Sequence, residues 1–171
     1  MIRKAAAADI PAVADIYARI LELEEEQTST GWLRGIYPVE ATARAALGRG
    51  DLFVYEEDGK VLASAIINQT QVDVYSMGAW AQPAEDGEVS VIHTLTVDPR
   101  EYGRGIARAF LAFYENEARN AGMRALRLDT NAINTAARTM YKKLGYTEVG
   151  IAPCVFNGIP DVKLVLLEKV L

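Results

Sequence analysis

The amino-acid sequence predicts a single-domain α/β fold over residues 1–171. Half of the residues are apolar, which is enough for one packed core. Short strand-like apolar runs alternate with segments whose apolar residues recur at helical spacing. A glycine-rich turn at residues 103–105 joins one such strand to one such helix. The element order that results is β-α-α-β-β-β-α-β-α-β-β.

The N-terminal segment predicts a short strand and a long amphipathic helix. Ile2 to Ala5 form the strand, and Asp9 is expected to cap the helix, with Pro11 in its first turn. The acidic run Glu22 to Glu26 is expected to be a solvated helix end, although it could also attract a cationic amine. The apolar stripe of this helix consists of Ile10, Val13, Ile16, Ile20 and Leu23.

A second helix and a hairpin follow. The helix is predicted from Glu40 through Leu47, ended by the segment Gly48 to Gly50. The runs Leu52–Tyr55 and Val61–Ile67 flank Asp58-Gly59, a dipeptide typical of a tight β-turn. These residues therefore predict an antiparallel strand pair.

The remaining strands lie in the C-terminal half. Residues 69–87 predict an irregular strand extension and a loop, and Glu88 to Val97 form the central strand. Ala125 to Asp129 are the next strand. Tyr146 to Ile151 and Val162 to Leu167 close the sheet as a pair.

Composition and charge exclude several classes of function. The formal net charge is −5 and no basic tract is present, so nonspecific nucleic-acid binding is not expected. With one histidine and one cysteine, no metal site is predicted. The single Cys154 excludes an internal disulfide and fits a reducing cytoplasm. No apolar stretch would span a bilayer and no signal-peptide pattern is found, so we expect a cytoplasmic protein.

The segment Arg100 to Ala107 is the most informative in the chain. A strand enters a turn containing Gly103 and Gly105, and a helix begins directly afterwards. Free N–H groups and the positive end of the helix dipole bind phosphate at such a point. Glycines let the backbone approach the ligand, and Arg100 and Arg104 add positive charge. The turn therefore predicts a phosphate or pyrophosphate ligand.

Two motifs carry a resemblance to a known family. The turn lacks a Walker A pattern, and Arg108 replaces the last glycine of a dinucleotide fingerprint. Its pattern Arg-x-x-Gly-x-Gly, from Arg100 to Gly105, resembles the acyl-CoA-binding motif of the GNAT superfamily of N-acetyltransferases. The second motif is similar to the family signature N-x-x-A-x-x-x-Y-x-K-x-G-[FY]. It is matched at Asn134, Ala137, Tyr141, Lys143, Gly145 and Tyr146.

This resemblance implies a fold and a co-substrate. The family fold is a mixed, mostly antiparallel central sheet with helices on both faces. The central strand would bind the pantetheine arm of acetyl-CoA through its backbone, and the turn would hold the pyrophosphate. Asn134, which begins the helix of the second motif, would contact pantetheine. The implied cofactor-binding residues are Leu95, Thr96, Val97, Arg100, Gly103, Arg104, Gly105, Ile106, Ala107, Arg108 and Asn134.

The resemblance also implies candidate catalytic residues. Tyr141 stands where the family often places the proton donor for the CoA thiolate, and a phenol with a reference pKa near 10 can serve. His93 matches a histidine position of the serotonin N-acetyltransferases, and strand alternation places it on one face with Val91, Leu95 and Val97. Glu88 is the rival base, and loss of the amine's proton to solvent before binding is the third possibility. The alternatives for these three residues are a packed aromatic, a core histidine and a solvated charge.

Weaker candidates surround the predicted cleft. Asp129 ends the strand before the second motif and could support the cleft or bond the next loop. The aromatic residues Trp32, Tyr37, Tyr75 and Trp80 lie in segments that the family uses to shape the acceptor pocket. Packing in the core is the alternative for most of them.

The predicted function is acetyl transfer from acetyl-CoA to a primary amine of a small molecule, by direct attack on the thioester. A protein or peptide N-terminal acetyltransferase and a noncatalytic acyl-CoA-binding domain are the alternatives. No metal, nucleic acid or membrane takes part in this interpretation, and a homodimer is left open.

Overall fold

A computed structural model describes residues 1–171 and contains one seven-stranded sheet with the order β1-β2-β3-β4-β5-β7-β6. The strands are β1 Ile2–Lys4, β2 Leu52–Glu57, β3 Lys60–Asn68, β4 Val89–Val97, β5 Ala125–Asn131, β6 Thr147–Phe156 and β7 Ile159–Val170. The helices are α1 Ile10–Glu26, α2 Glu40–Arg49, α3 Ile106–Asn120 and α4 Thr135–Lys143. The predicted α/β class and element order are confirmed. None of these helices combines the length and apolar character that a bilayer crossing requires.

Helices cover both faces of the sheet. The faces are set by strand alternation, since Ile66 of β3 packs with α1 and α2, whereas Ala65 packs with α3 and α4. Phe110 and Tyr114 of α3 fill the second of these cores and are fully buried. A further core cluster surrounds Tyr75, which lies in a short 3-10 segment between β3 and β4.

Two tight turns close the hairpins of the sheet. Asp58 and Gly59 have φ angles of 50° and 72°, the left-handed pair that a type I′ turn requires. Asn157 and Gly158 repeat this geometry between β6 and β7, at 47° and 85°. The second turn lies beyond the predicted end of the closing strand, so β6 and β7 are longer than the sequence pattern indicated.

The sheet is divided between β4 and β5. Their parallel pairing is limited to the partners of Val89, Ser90 and Val91, after which the two strands separate. β4 keeps its pairing to β3 on the other side as far as Val97, and β5 keeps its pairing to β7 as far as Asn131. An opening in the middle of the sheet is the result.

Three local predictions need correction. Asp9 occupies the N-cap position of α1 as predicted, but its carboxylate makes no capping hydrogen bond, because it accepts hydrogen bonds from Arg3 and from the Ala6 N–H instead. Helix α2 continues through Gly48 and ends at Gly50, whose φ of 76° terminates it. Residues 69–87 contain a 3-10 segment, Asp73–Met77, and no strand extension.

Candidate active site

A cavity of about 1260 Å³ occupies the opening between β4 and β5. At one end it is lined by Val97, Gly103 and Asn134, which belong to the end of β4, the turn before α3 and the N-terminal cap of α4. At the other end it is lined by the α1–α2 loop and the β6–β7 turn, including Tyr37 and Phe156. We call these the turn end and the loop end. The volume exceeds the roughly 300–1,000 Å³ of an ordinary ligand pocket, so two molecules can meet inside.

The turn end has the geometry of a phosphate site. Gly103 and Gly105 have φ angles of 83° and 79°, and no heavy atom lies within 4 Å of the position that a Cβ would occupy. The helical hydrogen bonds of α3 begin with the Ala109 N–H donating to the Gly105 carbonyl at 3.0 Å, so the N–H groups of residues 106–108 have no partner within the protein. The turn therefore offers free backbone N–H groups and open space to an anionic group such as a phosphate.

The arginines of the turn are bound to carboxylates of the protein itself. Arg100 Nη2 lies 2.7 Å from Asp98 Oδ2, and Arg104 pairs with Glu57 and Glu101. The formal positive charge that the sequence suggested is therefore balanced locally. Backbone N–H groups are left as the main donors to a phosphate.

The other predicted cofactor residues divide by position. Leu95, Thr96, Val97, Ala107 and Asn134 line the cavity. Two more from the first turn of α3 do not: Ile106 is buried in the core and Arg108 is exposed to solvent. Asn134 caps α4 as predicted, because its side chain accepts a hydrogen bond from the Ala137 N–H at 3.1 Å.

Tyr141 lines the cavity from the α3–α4 face of the sheet. Its residue surface is 7% exposed, and its hydroxyl forms no hydrogen bond within the protein. Burial raises the pKa of this hydroxyl above its usual value, and the nearby Asp129 carboxylate adds to the effect. The phenol is thus protonated at neutral pH and free to donate a hydrogen bond into the cavity.

A bulge in β4 corrects the predicted position of His93. Between His93 and Thr96, β4 has one residue more than β3, and Thr94 takes a φ of 49°. Leu95 and Val97 consequently pack toward α3, while His93 stays on the opposite face with Val91. The four residues do not share one face, because the extra residue reverses the alternation.

His93 is held in a chain of polar groups. The Asn68 amide donates to Asp51 Oδ2 at 3.1 Å, so its oxygen accepts from the Thr70 N–H at 2.9 Å and from His93 Nε2 at 3.1 Å. Burial lowers the pKa of His93 to about 4. The imidazole lines the cavity but is neutral and weakly basic at pH 7.

Glu88 is not brought to the cavity. It precedes β4 at the end of the strand opposite Val97 and lies among the solvent-exposed side chains. Its carboxylate accepts from the Glu85 N–H at 2.9 Å and pairs with Arg124 at 3.2 Å. These contacts favour the solvated charge that was its alternative interpretation.

The sequence predicted that Asp129 would either support the cleft or bond the next loop. It lies on β5 beyond the point where β4 separates, and it lines the cavity. The Tyr75 hydroxyl donates to Asp129 Oδ2 at 2.9 Å. Burial raises the pKa of Asp129 to about 6, against the opposing effect of this hydrogen bond.

Aromatic side chains wall the loop end. Tyr37 contacts Trp32 and Phe156 edge-on, with ring centroids 5.7 and 5.1 Å apart. All three line the cavity, and the Tyr37 hydroxyl shares a hydrogen bond with Thr94. Trp80, which was predicted to shape this pocket, instead stacks on Arg127 outside it, at 4.2 Å.

Glu24 organises the loop that carries Trp32 and Tyr37. It was expected to be solvated but is 7% exposed, and its carboxylate accepts hydrogen bonds from the N–H groups of Ser29, Thr30 and Gly31. Burial alone would raise the pKa of Glu24, but these hydrogen bonds outweigh it and the pKa is lowered. Glu24 differs from its solvated neighbours only through the folded loop around it, so its role could not be predicted from the sequence.

The chain is similar to known proteins of one family over most of its length. The model of the acetyltransferase (GNAT) family matches residues 17–146 of the chain. The chain belongs to the GNAT acetyltransferase family. A mycothiol acetyltransferase from Cellulomonas flavigena is 33% identical over 96 residues, which are 56% of this chain and 26% of that relative. An uncharacterized N-acetyltransferase from Methanocaldococcus jannaschii matches over 30% of its length, so the chain spans less than a third of either relative.

Solved structures extend this agreement to the whole GNAT fold. A GNAT-family acetyltransferase from Streptococcus agalactiae covers 100% of this chain and 95% of its own, with a TM-score of 0.78 and 24% identity. The acetyltransferase yncA from Salmonella typhimurium, solved with its cofactor acetyl-CoA, covers 99% and 92%, with a TM-score of 0.71 and 20% identity. The predicted mixed sheet with helices on both faces is therefore the GNAT fold.

Proposed function

We propose that this protein is an acetyl-CoA-dependent N-acetyltransferase whose acceptor is a primary amine of a small molecule. Family membership and the turn around Gly103 and Gly105 support acetyl-CoA as the donor. The observation that carries the proposal is the single cavity that joins this turn to the aromatic wall of the loop end. A donor and an acceptor that enter from opposite ends would meet where β4 and β5 separate.

The bridge over the loop end supports a small acceptor. Tyr37 on the α1–α2 loop contacts Phe156 beside the β6–β7 turn, and Trp32 of the same loop packs against Tyr37. At the same junction, a Cβ on Gly158 would lie 3.5 Å from Ile36 Cγ2. A protein terminus would have to part this bridge to reach the opening between the strands. A small amine fits beneath it.

Acetyl-CoA would supply the acetyl group as a thioester. Tyr141 would donate its phenolic proton to the departing sulfur, and its hydroxyl, which is protonated and has no partner within the protein, supports this role. The apolar lining, including Leu95 and Met140, would exclude water from the transfer. The N–H groups of the first turn of α3 would anchor the phosphates at the other end.

A panel of small primary amines and of peptides, assayed for acetyl-CoA turnover, tests the proposal. We expect turnover with small amines and none with peptides. Phe156→Ala should raise kcat/KM for bulky amines relative to small ones, because it opens the bridge. Phe53→Ala is the control, since Phe53 is also partly buried but lies outside the cavity.

Two outcomes would replace the proposal. Turnover confined to peptides would indicate a protein or peptide N-terminal acetyltransferase. Acetyl-CoA binding without turnover of any amine would indicate a noncatalytic acyl-CoA-binding domain. We also propose a cytoplasmic location, because the sole cysteine, Cys154, is a free thiol.

A further inference from the structure

Asp129 is the only carboxylate among the side chains that line the cavity, and Arg49 is the only cation. Arg49 is already engaged, since its Nε donates to Asp51 Oδ2 at 2.7 Å. Asp129 has no ion pair and a single hydrogen bond, from the Tyr75 hydroxyl to Oδ2, so Oδ1 has no partner within the protein. Asp129 is partly exposed and lines the cavity, so its free oxygen can accept a cation or a proton from a ligand there.

Asp129 lies on one face of the sheet, but the opening between β4 and β5 also exposes it to Tyr141 on the other face. It projects from β5 on the face of Tyr75, opposite the face where Leu128 packs against α3 and α4. Because β4 has separated at this point, no strand lies between Asp129 and Tyr141 of α4, and the carboxylate influences the Tyr141 hydroxyl electrostatically. The proton donor and Asp129 therefore border the same opening.

We propose that Asp129 is the catalytic base that binds the acceptor ammonium and takes its proton, and that Tyr75 is the residue that positions it. This inference rests on the proposed function. The acceptor enters as RNH₃⁺, and one proton passes to the Asp129 carboxylate to leave the neutral amine. The amine nitrogen bonds to the acetyl carbon as the carbon–sulfur bond breaks. Tyr141 gives its proton to sulfur and recovers one from the acetylated nitrogen, and Asp129 releases its proton to solvent.

The two earlier candidates are less suited to this step. His93 has its Nε2 bound to Asn68 and, with a pKa of about 4, is a weaker base than a carboxyl that titrates near 6. Glu88 lies outside the cavity and is paired with Arg124. Asp129 alone combines access to the cavity, an unpartnered oxygen and the higher basicity.

The groups that face Asp129 do not change their charge near pH 7, so the pH dependence in this range is assigned to Asp129. They are Tyr75 from the 3-10 segment, Tyr37 from the α1–α2 loop, Tyr141 from α4 and Cys154 from β6. The hydroxyl and thiol pKa values of these four are all raised, so each is neutral at pH 7. On β5 itself, Arg127 is neutralised by Glu168 at 3.3 Å.

Tyr75 is fixed by contacts that hold its whole segment against the sheet. The Trp80 indole N–H donates to the Tyr75 carbonyl at 2.6 Å, and the Ala81 N–H donates to Glu168 Oε2 at 2.7 Å. Tyr75 itself is 2% exposed. Its phenol therefore presents a rigid donor to Asp129, which keeps Oδ2 occupied and directs the other oxygen into the cavity.

The test is the pH dependence of kcat/KM between pH 5 and 9, with acetyl-CoA and benzylamine, or another small amine that the wild-type protein acetylates. We expect activity to rise with pH through a midpoint of about 6, because the carboxylate is the active form. Asp129→Asn should remove this limb and lower kcat/KM by roughly 10²-fold or more. Asp129→Glu should restore part of the activity together with a limb.

Tyr75→Phe gives a second, independent reading. Losing the hydrogen bond that favours the charged carboxylate should raise the pKa of Asp129, so the limb should move to higher pH while acetyl-CoA affinity is unchanged. His93→Gln and Glu88→Gln should both keep the limb. A merely structural Tyr75 would lower activity at every pH without moving the midpoint.

The outcomes distinguish a failure of the Asp129 assignment from a failure of the proposed N-acetyltransferase function. If the wild-type protein acetylates no amine, the proposed function fails. If it does, and folded Asp129→Asn retains the wild-type profile, Asp129 is not the base. If Asp129→Asn fails to fold, the other variants decide. The assignment is overturned if the midpoint of the pH profile does not move in Tyr75→Phe, or if His93→Gln loses the rise of kcat/KM with pH.

Discussion

At the residue scale, the turn end of the cavity depends on backbone angles rather than on side-chain charge. Gly103 and Gly105 hold positive φ values, while Arg100 and Arg104 are bound to neighbouring carboxylates. A β-branched residue at such an angle costs about 1–3 kcal/mol of strain or forces the turn to rearrange. The turn should therefore respond to glycine replacement more than to arginine replacement.

Gly105→Val should weaken CoA binding by at least about tenfold, because relief of the strained φ would displace the N–H groups of α3. Isothermal titration calorimetry with CoA measures the effect. Gly122→Val is the matched control, since Gly122 lies beyond the other end of the same helix with a φ of 72° and open space around it. Unchanged CoA affinity in folded Gly105→Val would contradict the assignment of this turn.

Tyr141→Phe should lower turnover by roughly 10²-fold, with little change in acetyl-CoA affinity, because it removes only the proton donor. Tyr146→Phe is the control. The two rings lie 5.8 Å apart, but the Tyr146 hydroxyl is buried without a partner and does not line the cavity. Steady-state kinetics on both variants makes the comparison. Wild-type turnover in Tyr141→Phe would leave this residue a purely structural role.

At the scale of elements, the site is assembled where irregular segments meet the divided sheet. The α1–α2 loop is held by Glu24, and its Gly31 lies so close to β5 that a Cβ there would come 2.5 Å from Asn131 Nδ2. The bulge at Thr94 then turns His93 and Leu95 to opposite faces. One strand thus presents cavity-lining side chains on one face of the sheet before the bulge and on the other face after it.

Glu24→Gln should destabilise the protein by about 1–3 kcal/mol, because a neutral amide replaces the charged acceptor of several buried N–H donors. We expect KM for the amine to rise and KM for acetyl-CoA to stay constant, since the loop lines only the loop end. Urea unfolding and steady-state kinetics check both parts. Glu26→Gln, at an exposed position of the same helix, should change neither.

Local chemistry explains which elements the sequence could predict. Asp58-Gly59 encodes its turn directly, and Asn134 and Gly145 mark both ends of α4. The bulge at Thr94 could not be foreseen, since an inserted strand residue resembles its neighbours. The raised pKa of Asp129 also had no sequence signal, because it comes from burial in the folded chain, and its one hydrogen bond comes from Tyr75, which is 54 positions away.

At the scale of the whole molecule, the ionised Asp129 of the candidate site lowers the free energy of unfolding. Most buried carboxyls here, such as Asp98 with Arg19 and Arg100, have lowered pKa values because their hydrogen bonds outweigh burial. They stabilise the fold above about pH 4 and lose this contribution as the pH falls. Asp129 has the opposite sign. Its pKa is raised from 3.8 to about 6, so its ionisation costs folding free energy as the pH rises through that range.

Asp129→Asn should therefore increase the free energy of unfolding at pH 8 by about 3 kcal/mol, and by little at pH 4, because the neutral amide avoids the cost of ionisation. Urea denaturation at the two pH values measures the difference. Asp15→Asn, at an exposed position of α1, provides the control. Equal effects of Asp129→Asn at both pH values would mean that the carboxyl titrates normally.

The division between β4 and β5 has a consequence for amide exchange with solvent. After Val91, the β4 amides that point toward β5 have no strand to receive them, whereas those that point toward β3 remain bonded. Deuterium should therefore enter alternate amides of residues 92–97 rapidly, in a strand at the centre of the molecule. Saturation with CoA should slow these amides selectively, and mass spectrometry of the deuterated protein would record it.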